Sequence, residues 1–155
     1  MIDYIYPDGI DCVWVASDRN GNLGAFVTGG VGPIPLQVLN DKLVSIEGTE
    51  ERLCELPKVS DLRLLVSMKR PDDFICIAER GFFVYDWRDV HRTSHESTHV
   101  YEPIAVPLNP ISVDALPEPL QSLAASLRFR GVAFVDETAI DVRAHVECRE
   151  GEHKI

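Results

Sequence analysis

The sequence predicts an α+β fold, one domain over residues 1–150, with a mainly antiparallel sheet of about five or six strands and a few short helices. Three observations point there. Apolar runs rich in Val, Ile, Phe and Trp recur along the chain, bounded by Gly, Pro and Asn. Near the C-terminus TAIDVRAHVE (138–147) alternates apolar and polar residues with the two-residue period of a half-buried strand. Short stretches of helical spacing, such as PEPLQSLAASL (117–127), separate the strand-like runs. The chain has 155 residues, enough for a single core, with 45% apolar and 26% charged residues. Residues 151–155 read as a frayed tail.

Taken in order, IDCVWVA (10–16) and LGAFVT (23–28) form the first two strands. Asn20-Gly21 lies between them, and both residue types accept the positive φ of a tight hairpin turn. GGVGPIP (29–35) is a strand exit, because Pro33 and Pro35 block further pairing. It is not a nucleotide loop. The third glycine of GxGxxG is missing, and no Lys-Ser/Thr follows the last glycine. A short helix is expected over 35–43, with Pro35 in its first turn. Another is expected over 49–56, capped by Thr49. DLRLLVSM (61–68) suits a buried strand or helix equally. In PDDFICIAERGFFVYDW (71–87), Asp72 or Asp73 caps a helix, Gly81 stops it and FFVYDW continues as a strand. Its apolar face should carry Phe74, Ile75 and Ala78. RDVHRTSHESTHV (88–100) is expected to be a polar loop or a ragged hairpin. YEPIAVPLNPI (101–111), with three prolines, suits an edge strand or an extended segment. In 117–127 Leu120, Leu123, Ala124 and Leu127 form one helical stripe, and GVAFVDE (131–137) is expected as the hairpin partner or neighbour of the alternating final strand.

The net charge is −10 and the pI about 4.8. Such a surface opposes nucleic-acid phosphates and anionic lipid, and suits a basic protein partner. No apolar run reaches the roughly 18–20 residues that span a bilayer, and the acidic start lacks the pattern of a signal peptide, so a cytoplasmic protein is expected. Cys12, Cys54, Cys76 and Cys148 form no CxxC pair, which disfavours a zinc ribbon and suits free thiols in a reducing compartment.

Few residue patterns suggest chemistry. His91, His95 and His99 recur every four residues, the spacing that stacks metal ligands on a helix. Their Ser/Thr-rich context instead favours a loop, and HExxH is absent. No serine occupies a GxSxG elbow, and no cysteine has an activating basic context. Asp72-Asp73 suits a cap and Asp136-Glu137 a turn, so neither pair reads as an acid–base dyad. Two patches suit protein contact. One is Asp86, Trp87, Arg88 and Asp89, in which Trp and Arg are favoured interface anchors and the acids suit a basic partner. A buried, structural Trp87 is the alternative. The other patch is the polar face of the last strand, Asp141, Arg143, His145 and Glu147.

DCVWVASDRNGNLGAFVTGGVGPIP, followed by FICIAERGFFVYDW, resembles bacterial immunity proteins encoded beside polymorphic toxins of contact-dependent, Rhs-type or type VI systems. The resemblance covers roughly residues 3–90. Its marks are the strand tryptophan, the Asn-Gly hairpin, the Gly-Gly-x-Gly-Pro exit and the helix-to-strand segment. It implies a cytoplasmic protein without cofactor or catalytic residues, which neutralises one cognate toxin domain by occlusion. It carries over no contact residues, because these follow each toxin. The alternatives are a small hydrolase using a carboxylate or the histidine loop, and a general adaptor domain.

Overall fold

The computed structural model describes residues 10–69, 71–88 and 99–149. Asp89, His91, His95 and the 151–155 tail lie outside them. Among the described residues, strands β1 (Val13–Asp18), β2 (Leu23–Val27), β4 (Leu62–Leu64), β5 (Phe83–Arg88), β6 (Val100–Pro107) and β7 (Arg128–Phe129) share one sheet. Their order is β4-β6-β5-β2-β1-β7. The β1–β2, β5–β6 and β4–β6 pairs run antiparallel, while β2–β5 and β1–β7 are parallel. β3 (Ile34–Pro35) and β8 (Cys148–Arg149) form a separate small ladder. No helix among the described residues is long and apolar enough to cross a membrane.

β1 and β2 are buried on both faces, which is why their sequences are nearly continuous apolar runs. Val13 and Val15 meet the helices α2 (Ile46–Cys54), α3 (Asp72–Ala78) and α4 (Leu120–Ser126) through Leu53, Ile77, Ala78, Leu120 and Leu123. Trp14 and Phe26 face the other way, toward α1 (Leu36–Leu39) and the irregular C-terminal segment, where they meet Val38, Phe134, Ile140 and Val142. The sheet is therefore a middle layer. On its second face Trp14, Phe26 and Tyr85 stack across β1, β2 and β5, at centroid distances of 4.2 and 4.9 Å.

Four residues, Arg19-Asn20-Gly21-Asn22, connect β1 to β2. Gly21 N–H donates to the Asp18 carbonyl, and Gly21 alone in the loop takes a positive φ, +79°. The Asp18 side chain organises it. Its Oδ1 accepts the N–H groups of Asn20 and Asn22 at 2.9 and 3.0 Å. Its Oδ2 accepts the Phe134 N–H at 2.8 Å, and the carboxylate is fully buried. One side chain thus ties the first hairpin to the C-terminal half.

Several expectations are corrected by tertiary context. α2 starts at Ile46, so Thr49 is inside it and its hydroxyl donates to the Ser45 carbonyl. α3 is preceded by Pro71, with Asp72 and Asp73 in its first turn, and its fully buried face is Ile77 and Ala78. β4 is partly exposed rather than buried. β6 lies between β4 and β5 instead of at an edge. Its Pro103 sits where the ladder slips a residue against Val84 and Tyr85, the irregular position in which proline is tolerated. Residues 138–147 form no strand. Val142–Ala144 is a 3₁₀ turn, and Phe134–Asp136 is another rather than a hairpin partner. The alternation over 138–147 records a segment with Ile140 and Val142 pointing inward, and Ala144 is exposed.

Asp18→Asn is nearly isosteric but turns an amide N–H₂ toward a backbone donor, either Phe134 N–H or the Asn20 and Asn22 pair. It should lower unfolding stability by about 2–3 kcal/mol, read from the urea midpoint. A change under about 0.5 kcal/mol would mean the carboxylate is not the tie.

Candidate functional site

The two candidate patches meet at one end of the sheet. β4 pairs with β6 only at Ala105, Val106 and Pro107, which leaves the outer edge of β6 near Tyr101 unoccupied by a strand. Ile140 fills that gap. Its N–H and carbonyl exchange two hydrogen bonds with Tyr101, both at 2.8 Å. From this bridge the chain turns through Asp141, whose Oδ1 accepts the Arg143 N–H at 3.2 Å and its Nε–H at 3.1 Å. Arg143 Nη2 then donates to the His99 carbonyl at 3.1 Å. His99 N–H donates to the Arg88 carbonyl at 2.7 Å, and its ring lies 6.2 Å from that of Trp87. A continuous path of contacts therefore runs from Trp87 through His99 to Arg143 and Asp141.

Asp141, Arg143, His145 and Glu147 are all exposed. The backbone beneath them is fixed at both ends. Val142 is fully buried, and the Glu147 carbonyl accepts the Leu36 N–H at 3.0 Å just before β8 pairs with β3. His145 leans on the Phe129 ring at 5.6 Å. Leu36 and the 143–148 segment line an open groove of about 550 Å³.

The Asp86–Asp89 patch divides. Strand alternation puts Trp87 on the same face as Tyr101 and the C-terminal segment, half-buried with its ring 5.2 Å from that of Tyr101. Asp86 and Arg88 project from the helix-covered face. Arg88 is mostly buried and ion-paired with Glu102, which is 9% exposed, so it is a structural cation rather than an exposed anchor. Of the three spaced histidines only His99 is described. No group of three or more His, Cys, Asp or Glu side chains placed to hold a metal occurs among the described residues.

One charged feature escaped sequence reasoning. Asp11, Glu50 and Asp73 come from a loop and two helices and gather at the same end of the sheet. Partial burial raises the Asp11 and Glu50 carboxyls above their ordinary range, and the charge of Asp73 raises both further. The Gly29 N–H, donating to Asp11, offsets part of its rise. Burial also raises the Tyr85 hydroxyl, with the charge of Asp18 adding to it. No spacing signal marks the trio, because its members lie tens of residues apart.

Carboxyls raised in this way bind protons more readily in the folded chain. Their stabilising contribution is complete below the unfolded pKa and is lost as pH rises through the folded one. Glu50→Gln removes one raised group and relieves Asp11. It should raise stability at pH 7 by about 0.5 kcal/mol, and the gain should vanish below about pH 3. Equal gains in urea titrations at both pH values would show that charge is not the cause. Comparison of the chain with protein-family models, curated proteins and solved structures found no match.

Proposed function

We propose that this protein is an immunity protein, which binds a cognate bacterial toxin domain and neutralises it by occlusion, without cofactor or chemical step. The resemblance of residues 3–90 to such proteins motivates the reading. The structural observation that carries it is the exposed ridge Asp141–Glu147, held rigidly beside Trp87. A binding surface gains affinity when its side chains are ordered before contact. Here the Tyr101–Ile140 bridge, the Asp141–Arg143 pair and the β3–β8 ladder provide that order. Trp87 and Arg143 are the residue types that most often dominate interface energies. The charge of −10 suits a basic toxin, whose approach it would speed.

The test is capture from the host lysate with the tagged protein, read by mass spectrometry, followed by affinity measurement on the captured domain. Recovery of the C-terminal domain of a large secreted protein is expected. Arg143→Glu and Glu147→Lys should each weaken its binding at least tenfold, about 1.4 kcal/mol, with thermal unfolding unchanged. Lys58→Ala, a control at an exposed ion pair, should bind as wild type. Full affinity in both ridge variants would remove the ridge from the interface. Failure to recover any toxin domain from a lysate that expresses one would remove the immunity reading.

A further inference from the structure

Two of the four cysteines meet across a helix–helix contact. Cys54 ends α2 and Cys76 lies in α3. Both are half-buried and free, and the Cys76 thiol lies near enough to Cys54 to raise it. Arg80 fixes the pair. Its Nε donates to the Leu56 carbonyl at 3.0 Å and its Nη2 to the Cys54 carbonyl at 2.7 Å. Its Nη1 reaches both the Cys76 carbonyl, at 2.9 Å, and the Cys76 Sγ, at 3.4 Å. One guanidinium therefore joins the C-terminal end of α2 to α3 and sets a positive charge against one of two facing sulfurs. About one turn earlier on each helix, Glu50 and Asp73 repel one another. Carboxylates push this helix pair apart at one end, while Arg80 and the thiols hold it at the other.

We propose that Cys54 and Cys76 are a reversible redox couple, which closes an intramolecular disulfide on exposure to a peroxide and so locks α2 to α3. The Cys76 sulfur attacks one peroxide oxygen and gives up its own proton. The O–O bond breaks, and the departing hydroxide takes up a proton as water, leaving Cys76 a sulfenic acid. The Cys54 sulfur then attacks the Cys76 sulfur. The S–O bond breaks, and the second hydroxide leaves as water with the Cys54 proton. In total two thiols give up two hydrogens and two electrons, and one hydrogen peroxide becomes two waters. The order of the steps follows from the surroundings of each sulfur. Cys76 has the guanidinium beside it, the setting of an attacking sulfur. The Cys54 thiol is pushed up to about 12, first by burial and then by the neighbouring Cys76 thiol, so it keeps its proton until it resolves the sulfenic acid. Cys12 is 4% exposed and pushed up to about 11 by burial and by acidic neighbours, and it remains a thiol.

The test uses the full chain, reduced, freed of reductant and treated with a small molar excess of hydrogen peroxide. The intact mass should fall by two hydrogens, and two of the four thiols should stop reacting with an alkylating agent. A peptide pair joining Cys54 to Cys76 should appear in a non-reducing digest and disappear with dithiothreitol. Cys54→Ser, with an unchanged circular dichroism spectrum, should stop at a sulfenic acid on Cys76 that dimedone traps. The proposal is overturned by a disulfide that maps to another pair or joins two chains. It is equally overturned if oxygen adducts accumulate on wild-type Cys76 without a link to Cys54.

Discussion

The Tyr101 hydroxyl is the point on which the rest of the structure turns. It donates to the Pro33 carbonyl at 2.9 Å and accepts the Trp14 indole N–H at 3.3 Å, both within the core. A strand near the chain's middle is thereby fastened to the first strand and to the loop that leaves the second. The fit leaves room only for glycine at position 32, where an added Cβ would lie 2.6 Å from the Tyr101 hydroxyl oxygen and 3.1 Å from the Trp87 ring. The backbone of the same tyrosine receives Ile140. Through that residue the C-terminal segment is placed against the sheet.

Polar side chains perform similar joining work elsewhere. Asp18 connects the first hairpin to Phe134, Arg80 connects α2 to α3, and Arg88 and Glu102 pair where β5 and β6 reach the end of the sheet. Arg128 donates to the carbonyls of Asp18 and Arg19 and holds β7 beside the hairpin. Each reaches a partner distant in the chain, and for the buried Asp18 and Glu102 those partners offset the cost of burial. They fix which segments meet, a choice that the non-directional apolar contacts of the two core layers do not make.

The sequence reveals most where local chemistry decides. The Asn20-Gly21 turn, the two flanking strands, the α3-to-β5 passage and the α4 stripe are readable because turn residues and periodicity act over a few positions. The parallel β2–β5 and β1–β7 pairings are not readable, since nothing in either strand names a partner so distant in the chain. The alternation over 138–147 misleads for a physical reason. One bridge to Tyr101 and two inward side chains impose the same period on an irregular segment as a ladder would. The exposure of Asp141, Arg143, His145 and Glu147 is legible, whereas their meeting with Trp87 through the His99 carbonyl is not. Arg88, an anchor by residue type, is claimed by Glu102, a partner fourteen residues away that only the β5–β6 pairing brings near.

The proposed binding surface is assembled from two distant segments and fixed before any partner arrives. Hydrogen–deuterium exchange of the protein, alone and bound to the toxin domain that the proposed function calls for, tests this most directly. Added protection is expected together over 99–101 and 140–148, with exchange over α4 unchanged. Protection confined to the helix-covered face, or in only one of the two segments, would contradict it.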